Sequence, residues 1–430
     1  MHSFILFKMR NIFTFFIINV LFVINISCVG NFKNNIINKN RNYEVDFLNY
    51  IEDCVRQAWD VSWERFYHSK TNLFYDYLTI YESGKELSHL PTVNEVARLY
   101  PNINGYDTGM EDCMISAGIM LSMIIDQYAV TTNEMLRELA YSVFKGIQLC
   151  ATVHGVPGFL ARGVCVEDGK SIYICSSRDQ YTHAVHGLWY YFHSPLSSPE
   201  TKIEISKILV AFADRAIQNV IPENDYNFLR ADGKPDNLLK MWDNDGHEAA
   251  RLPMIFAAAW DVTGELKYFN QYQKYLEQSI DKSFIDFSKV NSWSLLQMQS
   301  SLDLLLTLEK DPKLKKQMSE LMHMVSKEAG TRAINANENS MKYDLTLVAS
   351  DWREGGGIKW GSEYRNAWYS VRESGETALT QLLNENRPFS EEQEMLLFQA
   401  ITKLDYNRVS TSGIFYLQGA YWRMQKRKIL

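Results

Sequence analysis

The feature that most constrains this chain is a junction that recurs five times. "IIDQYAVTTNEMLREL", "YYFHSPLSSPETKIEI", "AAWDVTGELKYFNQY", "LLTLEKDPKLKKQM" and "LTQLLNENRPFSEEQEML" share one plan. An apolar helix ends, a few polar residues follow, and an amphipathic helix begins. A connection this short makes the two helices antiparallel neighbours. The helices before each junction are apolar on several sides, as in "EAARLPMIFAAAW", whereas those after it keep a charged face. The first set therefore reads as inner and the second as outer. Helix starts carry Ser/Thr-x-x-Glu/Gln capping boxes at Thr131 with Glu134, Ser197 with Glu200 and Ser390 with Gln393.

The connections from each outer helix to the next inner one are long. They cover 151–177, 221–245 and 329–361, with an N-terminal equivalent at 71–107. Long ordered loops in a compact domain are usually functional. If the hairpins close into a ring, all of these loops emerge at one end. The pattern predicts an all-α fold, an (α/α)6-type toroid of helical hairpins with long loops at one mouth. Counting "YEVDFLNYIEDCVRQAW", there are five to six hairpins. No strict repeat period supports an open solenoid, and no Gly-rich phosphate loop follows a strand.

The net charge of −7 excludes a sequence-independent grip on nucleic acid. Aromatic residues make up 13% of the chain, with 24 Tyr and 10 Trp. They serve a large core, a set of flat faces for stacking sugar rings, or both. At the N-terminus, Lys8 and Arg10 precede an apolar run from Ile12 to Ile24, and "NISC" ends at Cys28. The run is too short to span a membrane and fits a signal segment. Ser27-Cys28 looks like a bacterial lipoprotein cleavage site, although Asn25 departs from the usual apolar residue, and Met9 offers an alternative start. The expected organisation is a signal peptide over 1–28 with a lipid on Cys28, a disordered Asn-rich tether over 29–42, and a toroid catalytic domain over 43–430. The only membrane contact expected is through that lipid, with the domain in the periplasm or cell envelope. Five cysteines remain after Cys28: Cys54, Cys113, Cys150, Cys165 and Cys175. Their odd number and irregular spacing make no disulfide framework and no zinc site. Cys165 and Cys175, flanking the turn "EDGK", are the one pair placed to bridge.

Chemistry concentrates at the predicted mouth. In "SSRDQYTHAVHGLWYY", Ser177 with Gln180 forms a further capping box, and Asp179, His183 and His186 fall on one helix face, with Arg178 and Tyr181 adjacent. A bland reading remains for each, since an Asp in a first turn suits the helix dipole and a His on an inner helix is often a core group. In "MWDNDGHEAARLP", Asp245 with Glu248 reads as a cap, leaving Trp242, Asp243, His247 and Arg251. His247 is expected in the first turn of an inner helix, where the dipole favours the neutral form a base needs. In "SDWREGGGIKWGSEYRNAWY", Gly355 to Gly357 separate Trp352 and Arg353 from Lys359 and Trp360. Other loops add His154, Arg162, Tyr226 and Arg230.

This mixture suits a negatively charged sugar. Arginine offers bidentate bonds to a carboxylate or sulfate, tryptophan a stacking face, and His and Tyr a base and an acid. The candidate catalytic residues are His183, Tyr181, His247 and Asp179. The candidate substrate-binding residues are Arg162, Arg178, His186, Trp242, Arg251, Arg353 and Trp360. A cation held by Asp179, His183, His186 and His247 is conceivable, but no HExxH or Cys spacing accompanies it, so neither metal nor cofactor is expected.

"VHGVPGFLARG", "SSRDQYTHAVHGLW", "PENDYNFLRADG" and "HEAARLPMIFAAAWDVTG" resemble a group of lipoprotein-like (α/α) toroid proteins from bacterial polysaccharide-utilisation systems. The resemblance spans roughly residues 43 to 421. It lies nearest the oligosaccharide dehydratases that marine bacteria use on ulvan, with the β-glucuronidases of glycoside hydrolase family 154 as neighbours. The dehydratase resemblance implies an acidic oligosaccharide partner and loss of water from its non-reducing-end uronic acid, giving a C4–C5 double bond. Removing the weakly acidic C5 proton requires donors that neutralise the adjacent carboxylate, a base, and an acid for the oxygen leaving C4. His, Tyr and Arg are the types this needs. A retaining or inverting glycosidase, such as a β-glucuronidase, needs two opposed carboxyl groups, for which Asp179, Asp243, Asp245 and Glu363 are candidates; an unsaturated glucuronyl hydrolase is a further alternative. A non-catalytic glycan-binding lipoprotein is the third reading.

Overall fold

The computed structural model describes residues 46–429. The chain divides into two compact units, Met1–Asp53 and Cys54–Leu430. Of the first, residues 46–53 are described and are helical. The signal segment ending at Cys28 and the tether over 29–42 lie outside the described residues.

In the second unit, eleven long helices are α1 (Cys113–Thr131), α2 (Leu136–Thr152), α3 (Arg178–His193), α4 (Pro199–Asn219), α5 (Arg251–Thr263), α6 (Leu266–Ser283), α7 (Ser292–Leu308), α8 (Pro312–Ser340), α9 (Glu363–Leu383), α10 (Glu391–Thr402) and α11 (Gly413–Ile429). The odd-numbered helices pack each on the next, and α11 returns to α1, closing a ring of six. The even-numbered helices cover them from outside. The sixth outer position is filled by residues 54–66, the first helical stretch of this unit. There the Gln418 side-chain amide donates to Ser62 Oγ at 3.0 Å, and Phe66 meets Phe415 edge-on at 5.5 Å. The fold is an all-α (α/α)6 toroid.

Patterning explains which helix goes where. Inner helix α1 is buried almost without interruption from Cys113 to Asp126. It is long and apolar enough to cross a membrane, but 72% of that apolar stretch is buried inside the fold. Outer helix α6 buries Tyr268, Tyr272, Tyr275, Leu276, Ser279, Ile280 and Ser283, a single stripe at helical spacing. Two glycines let α1 and α3 touch backbone to backbone. A Cβ on Gly118 would stand 2.3 Å from the His183 carbonyl oxygen, and one on Gly187 would stand 2.9 Å from the Gly118 Cα.

Because every inner helix runs the same way, all six N-termini open at one mouth, where the long connections gather. The N-terminal connection is tied there by its backbone. Asp76 N–H donates to the Gly109 carbonyl, and the Asp76 carbonyl accepts from Ser412 N–H and, at 3.2 Å, from the Trp368 indole. This connection also holds a two-stranded antiparallel hairpin, Tyr67–His68 with Leu73–Phe74.

Several local expectations are corrected. The connection expected to begin at residue 329 begins after Ser340, because Ala329, Gly330, Ala333 and Ala336 continue the buried stripe of α8. Thr131 ends α1 and does not cap α2, and its hydroxyl returns to the Gln127 carbonyl. The cap of α4 is Ser198, one residue later than expected, accepting from Thr201 N–H. Ser390 does cap α10, accepting from Gln393 N–H. Cys165 and Cys175 are free thiols, directed at the Pro91 and Ser176 carbonyls.

Candidate active site

At the start of α3, the Ser177 hydroxyl makes no capping bond. Gln180 instead crosses to the neighbouring inner helix, where its amide nitrogen donates to the Glu111 carbonyl at 2.9 Å and to Asp112 Oδ1 at 3.0 Å, and its oxygen accepts from Met114 N–H. The N-terminus of α1 is thus capped by a side chain from α3. This couples Asp112 to Asp179, which stands one residue before Gln180.

Asp179 accepts from Arg251 Nη1 at 2.5 Å. Arg251 is fully buried; its Nη2 donates to Gln297 Oε1 at 2.5 Å, and its Nε has no partner. Burial alone would raise the Asp179 carboxyl, but Arg251, with Arg178 and Arg162 further off, outweighs it and holds the group below its usual range. Arg178 donates to Glu248 Oε1 at 2.6 Å and to the Asn237 and Lys240 carbonyls. Arg162 donates to the Glu111 carbonyl and the Tyr106 hydroxyl, both at 3.0 Å, and stands 3.7 Å from Asp112. Asp179, Arg178, Arg251 and Arg162 therefore share the mouth.

His247 joins them, by a different route from the one expected. It sits in a single 3-10 turn, Gly246–Glu248, before α5 begins at Arg251, and Asp245 makes no cap. Burial first, and the Arg251 charge second, push its imidazole down to about 4, so it is neutral at physiological pH. Its ring meets Trp293 edge-on at 6.1 Å, and its Nε2 is 3.7 Å from Glu248.

Other candidates are displaced. Tyr181 is fully buried and stacked on Phe228 at 4.5 Å. Its hydroxyl accepts from Leu160 N–H and donates to the Gly158 carbonyl, so both of its hydrogen-bonding roles are spent on the 153–177 connection. His183 is buried on α3, one turn beyond Asp179, and burial and then His186 push its imidazole down to about 3. The two histidines line a cavity of about 20 Å³, room for roughly one water molecule. His186 turns toward the opposite end of the ring, 2.9 Å from Asp303 on the second half of α7. Arg353 is not a free clamp. It holds both oxygens of Glu95, pairs with Asp351 and donates to the His89 and Leu90 carbonyls, stapling two connections together. Trp242 packs on Tyr275 of outer helix α6 and lines an outer cavity of about 310 Å³ between α4 and α6. Asp243 and Asp245 pair with Lys282, and Glu363 is exposed. Trp360, by contrast, is not displaced: it is 82% exposed and lies over Arg365.

The sequence reading missed a second half of the mouth. Asp112 is 3.2 Å from Arg372, whose Nε donates to Glu376 at 2.6 Å. Glu376 is fully buried, and burial pushes it up to about 7. Glu111 accepts from Asp107 N–H with one oxygen and leaves the other buried without a partner; burial, then Asp112, push it up to about 8. Asp76 is 1% exposed, neither of its carboxyl oxygens has a partner, and burial raises it well above the carboxylate range. A signal was available: "YRNAWYSVRESGE" places arginines and glutamates on an inner helix that has no solvent face to put them on, and "MED" precedes α1, a helix apolar enough to cross a membrane.

No protein-family profile matches the chain, and no curated protein matches it. Among solved structures it is similar to a sugar epimerase from a ruminal bacterium, at 12% identity and a TM-score of 0.49, covering 88% of this chain and 98% of the epimerase. It is also similar to a glycoside hydrolase family 76 mannosidase from Bacteroides thetaiotaomicron VPI-5482, at 12% identity and a TM-score of 0.31, covering 78% and 100%.

The assembled mouth carries one kind of chemistry well, proton transfer next to a negative charge. Six helix N-termini and a set of arginines favour an anion there. The carboxyls pushed toward the acid form, Asp76, Glu111 and Glu376, are buried behind it. The carboxyls with exposed edge, Asp112, Asp179 and Glu248, each face a guanidinium. Among the described residues, no group of three or more His, Cys, Asp or Glu is arranged to hold a metal ion, and Asp179, His183, His186 and His247 do not converge.

Proposed function

We propose that this mouth is the active site of a carbon–oxygen lyase that removes water from the non-reducing-end uronic acid of an acidic oligosaccharide. The product carries a C4–C5 double bond. The observation that carries the reading is the division of protonation states around Asp179. A glycosidase needs a reachable carboxylic acid to protonate the leaving oxygen, yet the carboxyls pushed furthest toward the acid form, Asp76 and Glu111, are buried, and Glu376, pushed up to about 7, is buried in a pair with Arg372. What reaches the mouth is a neutral imidazole, His247, and a phenol, Tyr106. Both are close enough to Asp179 to feel its charge.

In this reading His247 accepts the C5 proton. Tyr106, kept as a neutral hydroxyl by burial and receiving a hydrogen bond from Arg162, protonates the oxygen that leaves C4. The sugar carboxylate, which must take up negative charge as C5 loses its proton, lies among the inner-helix N-termini, where positive partial charge is already oriented. Asp179 stabilises the His247 imidazolium that forms. Tyr181 drops out of the chemistry, and His183 acts at most from beneath it. We propose further that the protein is lipid-anchored in the periplasm or cell envelope, a reading supported by the Ser27-Cys28 pattern after the apolar run.

The test is the product from a uronate-ended oligosaccharide. A product lighter by one water, absorbing in the ultraviolet as a conjugated uronate, supports the lyase. Free uronic acid with a shortened chain overturns it in favour of a glycosidase. Labelled lipid incorporated by the wild type and lost in Cys28→Ala supports the anchor; equal labelling of both removes it.

A further inference from the structure

Arg365 stands apart from the other arginines of the mouth. Arg162, Arg178, Arg251 and Arg372 are each held by directed bonds to carboxylates, carbonyls or a hydroxyl. Among the described residues, no hydrogen bond or ion pair engages the guanidinium of Arg365; its Nε is buried without a partner, as are those of Arg162, Arg178 and Arg251, but unlike theirs its Nη1 and Nη2 make no directed bond either. It is instead packed between rings, 4.4 Å from the centroid of Trp360, 4.5 Å from Trp368 and 5.7 Å from Tyr369. Stacking occupies the faces of a guanidinium and leaves its edge donors for a planar or tetrahedral anion. Arg365 lies in the first turn of α9, whose N-cap Ser362 accepts from the Arg365 N–H, so the helix dipole adds to its charge at the mouth. Trp360 is 82% exposed on the loop that leads in, a large apolar ring left in water with one face on Arg365.

We infer that Arg365 is the specificity-determining residue of the mouth. It binds an anionic group of the sugar, carboxylate or sulfate, while Trp360 stacks against the ring of the next residue along the chain. The inference rests on the reading of the mouth as a site for an acidic oligosaccharide, but it does not need the reaction to be an elimination. An ionised partner would complete the hydrogen bonding of a cation that the fold has desolvated and left unmatched. The outward face of Trp360 offers the apolar surface that a sugar ring covers.

The experiment is calorimetric binding to the full chain of three disaccharides. One has a terminal glucuronate on a neutral sugar, one a terminal glucose on a sulfated sugar, and one is wholly neutral. The wild type should prefer an anionic probe to the neutral one. Arg365→Gln should weaken the preferred probe by roughly 10- to 100-fold, the loss expected for a charge-assisted bidentate contact, and leave the neutral probe unchanged. Loss confined to the glucuronate probe identifies the carboxylate as the ligand, and loss confined to the sulfated probe identifies the sulfate. Trp360→Ala, at an exposed position that the fold does not need, should weaken all three probes alike. A wild type with no preference for an anionic probe, or an Arg365→Gln variant that loses neutral and anionic probes equally, overturns the inference. The readout is affinity, so a product showing hydrolysis would remove the lyase reading and leave this one standing.

Discussion

Gly118 and Gly419 both lie inside inner helices, and the structure assigns opposite signs to the same substitution at the two. At Gly118 a new methyl group would stand 2.3 Å from the His183 oxygen, 2.6 Å from its carbonyl carbon and 3.0 Å from its Cβ. Ordinary contact begins near 3.4 Å, so α1 and α3 would have to part by about 1 Å. The obstacle is helical backbone, which cannot rotate aside. Overpacking of this kind costs ~1–3 kcal/mol and exceeds the ~1 kcal/mol that alanine gains over glycine in a helix. At Gly419 the nearest atoms are the Leu379 Cδ1 and Cδ2 at 3.3 and 3.6 Å and the Ile119 Cγ2 at 3.8 Å, all on side chains, so the helix-propensity gain should survive. Gly118→Ala should therefore be less stable than Gly419→Ala by roughly 1–3 kcal/mol. With about 2.1 cal/mol/K of unfolding entropy per residue, that separates their thermal midpoints by only ~1–4 °C in a chain this long. Activity should separate them further, because α1 and α3 carry Asp112 and Asp179 at their mouth ends, and a shift of about 1 Å in such a pair can cost ~100-fold. Melting curves and kcat/KM measured on the two variants decide the matter. A Gly118→Ala protein as stable and as active as Gly419→Ala would refute the close approach of α1 and α3.

Three further outcomes follow from the site. Tyr181→Phe orphans the buried Leu160 N–H and Gly158 carbonyl and should destabilise the fold by ~1–3 kcal/mol, while the folded fraction keeps its chemistry; loss of product with an unchanged melting point would return Tyr181 to the mechanism. His247→Ala should lower kcat by about 10²- to 10⁴-fold, and because its imidazole is held down to about 4, the wild-type kcat/KM should have its acid limb near that pH and not near 6.5; an acid limb near 6.5 counts against His247 as the base. Glu111, pushed up to about 8, stabilises the fold fully below its unfolded value near 4.5 and loses that contribution as pH rises through 8, so Glu111→Gln should gain in melting point relative to wild type between pH 5 and pH 9, and a constant difference across that range would contradict the raised carboxyl.

The legibility of the molecule differs from level to level. Five short junctions between helices of unequal polarity were enough to predict the closed ring of hairpins, because periodicity is a local property and burial on all sides leaves a plain mark in composition. The shared rim of Asp179, Arg178, Arg251 and His247 was legible for the same reason: once inner helices run parallel, their N-termini must gather. Caps were less legible. Ser177 with Gln180 has the spacing of a capping box, but Gln180 finds better partners on α1, and no local pattern records a bond made across the ring.

What the sequence by itself determined is the alternation of inner and outer helices and the end of the ring where polar side chains collect. Only the tertiary structure decided which of those side chains are free to act. An arginine reads the same in sequence whether it is committed, as Arg353 is to Glu95 and Asp351, or unmatched, as Arg365 is among its aromatic rings. Tyr181, two residues from Asp179, reads as an acid until its hydroxyl is found closed between two backbone groups. Glu111 and Glu376 read as ordinary charged residues until the ring desolvates them. Availability, protonation and charge balance depend on partners brought in from distant parts of the chain, and those distances exist only after the ring has closed.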